Sequence, residues 1–335
     1  MKKANVKNYK SDQEVRWCAG CGDFAVLNAV YKAMAEMNIP TEDIAVVSGI
    51  GCSSRFPYYM GTYGFHGIHG RAPAISSGVK VANPKLSVWQ ITGDGDALAI
   101  GGNHFIHVVR RNIDINLILF NNQIYGLTKG QYSPTSKMGA KTKSSPFGTV
   151  EQPFNPGELV IGARGKFFAR VVDANIKMCT EIFKEAEKHK GLSVVEVLQN
   201  CVIFNEGIYN FINDKKERSD RQIFLKDNQA MIFGKNKDKG LMIDGFKLKV
   251  VEIGKNGITE DDILIHDAQE KDTALHNALI NMRSPEFPIA MGVIRAVKEN
   301  HYDDLVEKQI KEVQEKTSIK NMDDLLCSGS VWEVK

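Results

Sequence analysis

Short buried strands alternate with helical segments along the first two hundred residues of this 335-residue chain. Five apolar runs of high β propensity predict strands, at residues 44–48, 87–92, 115–120, 167–172 and 193–198. Helical spacing of apolar residues predicts helices, at residues 23–37, 104–112 and 177–190. Asp23 is the expected N-cap of the first helix. Repeated β–α–β units predict an α/β fold, with a mostly parallel sheet covered by helices on both faces.

The composition argues against several classes of function. The formal net charge of +3 is too small to indicate nucleic-acid binding. No run approaches the ~18 consecutive apolar residues of a membrane span. The lysines near the N-terminus are not followed by the apolar run of an export signal. We therefore expect a cytoplasmic protein that binds neither nucleic acid nor membrane.

The regular alternation ends near residue 205. We therefore predict a main domain at residues 1–205 and a smaller C-terminal extension at residues 206–335. Within the extension, residues 234–254 are typical of a hairpin and residues 305–317 of an amphipathic helix. Within the main domain, residues 128–160 contain four prolines and many hydroxyl side chains. A connection of that length is usually functional or disordered.

Two polar motifs follow neighbouring predicted strands. The motif GDGD (93–96) comes directly after one strand, and NN (121–122) comes directly after the next. One crossover helix and its strand separate Asp94 from Asn122, so both lie at the sheet edge where open α/β sheets bind ligands. Carboxylate and carboxamide oxygens suit Mg²⁺, and glycine lets the backbone approach phosphate closely. Two ordinary tight turns are the alternative, but the paired spacing favours a magnesium diphosphate site.

Six cysteines in a chain without an export signal indicate metal binding or redox chemistry rather than disulfides. Cys18 and Cys21 form a CxxC motif, which alone fits a redox pair, half of a zinc site or no function. Cys52 and Cys201 each follow a predicted strand, so they belong to the same sheet edge as the two polar motifs. Four converging thiolates suit either a tetrahedral zinc or a cubane iron–sulfur cluster.

Several phrases between residues 15 and 205 form a specific set, namely WCAGCG, GIGCSSRFPYY, HGRAP, GDGD and NNQIYGLTKGQYSPT. Together they resemble the β subunits of 2-oxoacid:ferredoxin oxidoreductases. A weaker similarity in the extension, at MIFGKNKDKG and KVVEIGKNGITEDDILIHD, resembles the branch that acts on 2-oxoglutarate. The resemblance implies the thiamine-diphosphate-binding fold. It also implies thiamine diphosphate, Mg²⁺ and one [4Fe–4S] cluster as cofactors.

The resemblance also implies site residues, position by position. The protein ligands that it implies for Mg²⁺ are Asp94, the side chain of Asn122 and the backbone carbonyl of Ile124. The ligands that it implies for the [4Fe–4S] cluster are Cys18, Cys21, Cys52 and Cys201. The residues that it implies to line thiamine diphosphate are Ile50, Gly51, Cys52, Ser53, Gly95, Asp96, Gly126 and Leu127. Cys52 would thereby link the cofactor to the cluster.

Two further residues match family positions, Arg55 one that carries Lys or Arg and His69 a motif near the cofactor. Arg55 is a candidate to pair with a substrate carboxylate through its bidentate guanidinium group, and a structural salt bridge is the alternative. His69, in the motif His-Gly-Arg, is a candidate to orient substrate or phosphate, with His66 nearby. Both are therefore predicted to be catalytic residues.

The remaining candidates have plainer interpretations. His104 and His107 lie in a predicted helix, and we interpret them as surface or packing residues. Cys179 and Cys327 are interpreted as ordinary thiols. Lys129 opens the long segment, where it either contacts a ligand or partner or is a solvated surface charge.

The activity implied by the resemblance is the oxidative decarboxylation of a 2-oxoacid with coenzyme A as acyl acceptor and ferredoxin as electron acceptor. 2-Oxoglutarate is the favoured substrate, with pyruvate or a branched 2-oxoacid as alternatives. No second β–α–β domain is predicted that could supply the glutamate needed to activate thiamine diphosphate, so we expect a partner α subunit. A non-oxidative thiamine-diphosphate decarboxylase would not explain the cysteines, and a non-catalytic zinc subunit would not explain the magnesium motif.

Overall fold

The computed structural model describes residues 4–332 and 334 of the chain. Its strands are β1 (Ile44–Ser48), β2 (Tyr63–His66), β3 (Ser87–Gly93), β4 (Asn116–Asn121), β5 (Phe167–Val172), β6 (Ser193–Leu198), β7 (Gln222–Leu225), β8 (Gln229–Ala230), β9 (Ile232–Phe233), β10 (Lys239–Asp244), β11 (Lys247–Glu252), β12 (Ile265–His266) and β13 (Ile289–Ala296). Its α-helices are α1 (Asp23–Met37), α2 (Phe56–Tyr59), α3 (Ala72–Ala82), α4 (Asp94–Leu98), α5 (Gly102–Arg111), α6 (Pro156–Gly162), α7 (Ile176–Lys188), α8 (Asn210–Asn213), α9 (Arg218–Arg221), α10 (Ala274–Ile280), α11 (Tyr302–Lys316) and α12 (Met322–Leu326). All the strands and helices predicted for the main domain are present.

Eight of these strands form one sheet, in the order β2-β1-β3-β4-β6-β5-β13-β7. Neighbouring strands in it run parallel, except that β5 and β13 are antiparallel. The predicted mostly parallel sheet is therefore confirmed. β7 and β13 come from the region after residue 205, so the predicted main domain and extension share this sheet. The extension also contains the predicted hairpin, which is formed by β10 and β11.

Alternate side chains of the central strands pack into two cores, one on each face of the sheet. In β4, Ile118 and Phe120 belong to the core that includes α1 and α7. Leu117 and Leu119 belong to the core that includes α5, α6, α10 and part of the extension. All four side chains are buried, as expected for a parallel strand covered on both faces. Each contributes roughly 1.5–3 kcal/mol compared with an exposed side chain.

Two local features differ from the sequence-based expectation. β2 was not expected because its residues, Tyr63–His66, are mostly exposed and lack an apolar run, yet they pair with β1 at the sheet edge. The N-cap of α1 is Gly22, so the N-cap prediction for Asp23 is wrong. Asp23 is instead a buried residue of the first turn, and burial together with the charge of Asp173 raises its pKa to about 7.

The predicted amphipathic helix of the extension corresponds to α11. Its apolar residues Leu305, Ile310 and Val313 are about half exposed. Neither α11 nor any other helix among residues 4–332 and 334 is long and apolar enough to cross a membrane.

A buried cluster of His266, His276 and Arg295 lies within the extension, beside β13, and Nε of Arg295 donates to the main-domain carbonyl of Gly165 at 3.0 Å. Nη1 of Arg295 donates to Nδ1 of His276 at 2.9 Å, and Nε2 of His276 donates to the carbonyl of Asp267 at 2.8 Å. His276 is therefore neutral here, because a guanidinium group can only donate. Burial, followed by the charge of Arg295, lowers the pKa of His276.

We expect the free energy of unfolding of the His276→Gln variant to depend less on pH than that of the wild-type chain. The folded-state pKa of His276 is depressed, so the wild-type chain loses stability as the pH falls below about 6.5, by up to about 1.4 kcal/mol per pH unit for this group. Urea unfolding at about pH 7.5 and about pH 5.5 measures this slope. Titratable groups outside this cluster contribute equally to both proteins, so the difference in slope reports on His276 together with its coupling to His266. Equal slopes in the two proteins would contradict the prediction.

Candidate functional site

The loops after β1 and β3 meet at a crevice in the sheet. β1 lies between β2 and β3, so the chain leaves these strands toward opposite sides, as at the switch points where open α/β sheets bind ligands. The backbone N–H of Ile50, after β1, donates to Oδ1 of Asp96, after β3, at 3.0 Å. The motifs GIGC and GDGD are therefore in direct contact.

Asp94 is a buried carboxylate without a basic partner. Its side chain is 2% exposed, and no lysine, arginine or histidine of the described residues forms an ion pair with it. Its Oδ2 accepts hydrogen bonds from Ser133 Oγ at 2.6 Å and from Thr135 Oγ1 at 2.5 Å. Burial raises its pKa to about 6, although these bonds favour the ionised form. Because buried charges are normally paired or bound to metals, Asp94 is suited to bind a cation.

The turn after β4 places further oxygen atoms next to this strand end. β3 and β4 are paired neighbours, so their carboxyl ends lie side by side. The amide oxygen of Asn122 accepts from the N–H of Ile124 at 3.2 Å, and its amide nitrogen donates to Gln199 Oε1 at 2.9 Å. These two bonds fix the orientation of the Asn122 side chain. The turn thus presents carboxamide and carbonyl oxygens of the kind that Mg²⁺ binds.

The carboxylate of Asp96 joins three segments of the chain. Its Oδ1 accepts from the N–H groups of Ile50 and Gly70 and lies 2.8 Å from Nδ1 of His69. Its Oδ2 accepts from Thr92 Oγ1 at 2.6 Å. Since a carboxylate only accepts, Nδ1 of His69 carries a proton and Nε2 is left for another partner. The side chain of Asp96 is engaged by the protein itself, so a bound cofactor would meet its backbone.

One glycine of the predicted site is required by close packing. The hydroxyl of Tyr125 donates to the carbonyl of Gly95 at 3.0 Å, and a Cβ at Gly95 would lie 2.2 Å from the tyrosine ring. Only glycine fits that position. A Cβ at Gly126 would lie 3.5 Å from Sγ of Cys52 and 3.7 Å from Sγ of Cys201. These are ordinary van der Waals distances, so Gly126 lies beside both thiols but a larger residue is not excluded there.

The four cysteines predicted to bind a cluster are found at this same edge. Cys52 and Cys201 both lie next to Gly126. Sγ of Cys21 accepts a hydrogen bond from Gln199 Nε2 at 3.4 Å. Cys18 is exposed, whereas the other three are partly buried. Gln199 therefore bonds both to a thiol and to the amide of the neighbouring β4 turn.

The electrostatics of these thiols disfavour free thiolates. Burial, followed by the charge of Asp23, raises the pKa of Cys21, and it raises the pKa of Cys52 to about 12. Neighbouring thiols add to both shifts, which reflects the proximity of all four. Among the described residues, one group of three ligand atoms lies within 4.8 Å, formed by His301, Asp303 and Asp304. No three of the four cysteine sulfurs therefore all lie within 4.8 Å of one another.

A cavity of about 430 Å³ opens beside these motifs. Its walls include Ile50, Gly51, Arg55, His66 and Leu127. Arg55 Nη1 donates to a backbone carbonyl at 3.2 Å, and no carboxylate of the described residues forms an ion pair with this guanidinium group. Arg55 therefore keeps donors free for an anion in the cavity.

Several side chains that hold the site together were not predicted. Ser133 and Thr135 bind Asp94, Gln199 links Asn122 to a thiol, and Trp17 Nε1 donates to the carbonyl of Cys52 at 2.6 Å. A signal was present for the first two, because they lie within the phrase NNQIYGLTKGQYSPT. For Gln199, the only signal was its position two residues before Cys201.

Other candidates lie away from this cluster or remain peripheral. Cys179 is buried in α7 and Cys327 is exposed near the end of the chain, in agreement with their interpretation as ordinary thiols. His104 and His107 are partly buried residues of α5. Lys129 is exposed, with a positive φ of 75°.

Comparisons with known proteins agree with this geometry. Residues 49–197 match the family described as thiamine pyrophosphate enzyme, C-terminal TPP binding domain. The chain is 46% identical over 305 residues to the 2-oxoglutarate oxidoreductase subunit KorB of Mycobacterium tuberculosis, covering 91% of this chain and 81% of the relative. It is 40% identical over 235 residues to the 2-oxoglutarate synthase subunit KorB of Methanocaldococcus jannaschii, covering 70% and 84%.

A solved structure matches almost the whole chain. It is the 2-oxoglutarate:ferredoxin oxidoreductase from Magnetococcus marinus with 2-oxoglutarate, coenzyme A and succinyl-CoA bound. The match has a TM-score of 0.79 at 30% sequence identity and covers 99% of this chain and 98% of the other.

Proposed function

The chain belongs to the family of 2-oxoacid:ferredoxin oxidoreductase β subunits, and we propose that it serves a 2-oxoglutarate:ferredoxin oxidoreductase. Such an enzyme converts 2-oxoglutarate and coenzyme A to succinyl-CoA and CO₂ and passes the electrons to ferredoxin. The observation that carries the proposal is the match of 46% identity over 91% of the chain to a 2-oxoglutarate oxidoreductase subunit. The sheet edge described above supplies residues of the required chemistry.

The proposed diphosphate site consists of Asp94, Asn122 and the carbonyl of Ile124 around Mg²⁺. The residues proposed to line thiamine diphosphate are Ile50, Gly51, Cys52, Ser53, Gly95, Asp96, Gly126 and Leu127. The fit is supported by Asp94, a buried carboxylate that forms no ion pair with a basic side chain of the described residues. When bound, thiamine diphosphate supplies the electron sink for decarboxylation. The protein itself orients the cofactor and fixes the carboxylate of Asp94 through Ser133 and Thr135, and the charge of the metal would favour its ionised form.

The proposed [4Fe–4S] site consists of Cys18, Cys21, Cys52 and Cys201. In a tetrahedral zinc site with Zn–S bonds of about 2.3 Å, the sulfur atoms lie about 3.8 Å apart. The wider spacing of these thiols supports a multi-iron cluster instead. Burial raises the pKa of Cys21 and of Cys52, so these thiols would become thiolates here only with a group that brings positive charge, such as the iron of a cluster.

We assign substrate roles to Arg55 and His69. Arg55 lines the cavity beside the diphosphate motif and has donors free for a substrate carboxylate. His69 is oriented by Asp96, which leaves its Nε2 for substrate or phosphate. Neither residue alone distinguishes 2-oxoglutarate from other 2-oxoacids. The choice of 2-oxoglutarate therefore rests on the relatives.

The partners that we propose are an α subunit and ferredoxin, in the cytoplasm. Exposed apolar side chains border the site, with Ile68 74%, Ile100 55% and Leu127 42% exposed. Apolar residues clustered beside a catalytic crevice are typical of a protein interface. We propose that the α subunit covers this rim and supplies the glutamate that activates the cofactor. Free thiols suit a reducing compartment.

The test is to purify the chain anaerobically together with its partner subunit. Iron, acid-labile sulfide and the visible spectrum would be recorded before and after 2-oxoglutarate, pyruvate or coenzyme A is added. We expect about four irons per chain and bleaching that requires 2-oxoglutarate. Bleaching by pyruvate alone would overturn the substrate assignment. Decarboxylation without iron would instead indicate a non-oxidative thiamine-diphosphate decarboxylase.

A further inference from the structure

One short turn of the long 128–160 segment contacts both halves of the proposed magnesium site. The turn consists of Ser133, Pro134, Thr135 and Ser136, and we call it the hydroxyl clamp. Its three hydroxyl side chains are at most 5% exposed. The N–H of Ser136 donates to the carbonyl of Ser133 at 3.0 Å, and Ser136 Oγ accepts from the N–H of Ser133 at 2.8 Å. These two bonds close the clamp on itself.

The first half of the clamp holds Asp94. Ser133 Oγ and Thr135 Oγ1 both donate to Oδ2 of Asp94, and no side chain of the described residues donates to its Oδ1. Two bonds to one carboxylate oxygen fix the rotation of the whole group. Thr135 Oγ1 also lies 3.0 Å from Oδ1 of Asn121, at the end of β4. The hydroxyl of Thr135 thus sits between the ends of β3 and β4.

The second half of the clamp holds the turn after β4. Ser136 Oγ donates to the carbonyl of Gln123 at 2.6 Å. Gln123 lies between Asn122 and Ile124, the two other proposed magnesium ligands, and has a positive φ of 56°. A left-handed conformation at a non-glycine residue needs support from its surroundings, and this hydrogen bond provides it.

We propose that Ser133, Thr135 and Ser136 are positioning residues that preset the oxygen ligands for Mg²⁺-diphosphate. The clamp orients Asp94 through one carboxylate oxygen, so that the other is free for the metal, and it fixes the turn that carries Asn122 and Ile124. This inference rests on the proposed function. It adds that the long segment is part of the metal site. The same hydroxyl groups that bond within the clamp also bond to Asp94 and to the turn after β4.

The loss of a clamp hydroxyl is expected to weaken metal binding without removing a ligand. Partners of metal ligands typically contribute 10–100-fold to affinity. We therefore expect Thr135→Val and Ser133→Ala each to weaken Mg²⁺ binding about 10–100-fold. Thr135→Ser keeps the hydroxyl and is expected to bind Mg²⁺ nearly as well as the wild-type chain. At saturating Mg²⁺ the variants should regain most of their kcat, because the ligands are intact.

The experiment titrates Mg²⁺ into the full-length chain, assembled with its partner subunit and supplied with thiamine diphosphate, by calorimetry. Ser144→Ala, an exposed hydroxyl of the same long segment, is the matched control. Weaker binding in Thr135→Val, with wild-type affinity in Thr135→Ser and Ser144→Ala, would support the clamp. Wild-type affinity in Thr135→Val and Ser133→Ala would overturn it and leave the proposed function intact. Failure of the wild-type assembly to bind Mg²⁺ and thiamine diphosphate would overturn both.

Discussion

The Asp94→Asn variant is expected to lose Mg²⁺ and thiamine diphosphate binding while the chain remains folded. Asparagine keeps an oxygen for Ser133 and Thr135 but removes the negative charge that would bind the cation. A direct ligand should matter more than its hydrogen-bond partners, which contribute 10–100-fold, so we expect more than about a hundredfold weaker binding. Activity should fall in proportion, because an enzyme without its cofactor cannot decarboxylate a 2-oxoacid. Calorimetric titration and activity assays measure the two effects.

The stability of this variant provides a separate check. Burial raises the pKa of Asp94 to about 6, so the ionised carboxyl is unfavourable in the cofactor-free chain at neutral pH. Folded Asp94 therefore costs stability above its unfolded pKa, and this cost disappears as the pH falls below about 6. Asp94→Asn should accordingly be at least as stable as the wild type at neutral pH without cofactor. A folded Asp94→Asn variant with wild-type affinity for Mg²⁺ would refute the ligand assignment, and Asp261→Asn is an exposed control.

Replacing a cluster cysteine is expected to remove the iron but not the diphosphate site. Cys201→Ala should lower the iron content from about four per chain to nearly none, because the cluster is held by four thiolates. Transfer of electrons to ferredoxin should be lost with it. Cys201 lies outside the proposed magnesium ligands, so binding of Mg²⁺ and thiamine diphosphate should remain close to wild type. Iron analysis, the visible spectrum and calorimetric titration distinguish the two sites.

The other cysteines of the chain provide matched controls. Cys327→Ala changes an exposed thiol near the C-terminus and should change neither iron content nor stability. Cys179→Ala changes a fully buried thiol of α7. It should keep its iron and lose stability, by about 1 kcal/mol, through the cavity that the smaller side chain leaves. Iron retained in Cys201→Ala, or iron lost in Cys179→Ala, would exclude the proposed ligand set.

Cys52 is predicted to behave differently from Cys201, since it belongs to both proposed sites. It lies two residues after Ile50, whose N–H is bound by Asp96, and its sulfur lies close to Gly126. A change at Cys52 should therefore impair cofactor binding as well as iron content. The short connection between the two sites suits electron transfer from the cofactor to the cluster.

The sequence by itself determined the central strands and the residues at their carboxyl ends. β1, β5 and β6 have the predicted bounds, because a fully buried parallel strand is a continuous apolar run that can be recognised locally. The positions of Asp94, Asn122, Cys52 and Cys201 just after these strands were enough to predict their convergence, whereas Cys18 and Cys21 were assigned to the cluster through the family resemblance alone. In a parallel sheet, residues that follow successive strands must meet at one edge.

Only the tertiary structure decided which parts of the chain complete that edge. The clamp contacts Asp94 from 39 and 41 residues away, and β13 joins β5 from more than a hundred residues away. Neither pairing follows from local periodicity, because a hydroxyl in a loop has no period to recognise, and the period of a strand does not say which distant strand it will pair with. Asp23 is a further example. The local sequence is compatible with either an N-cap or a buried acid at this position, and only the residues that pack against Asp23 decide between them.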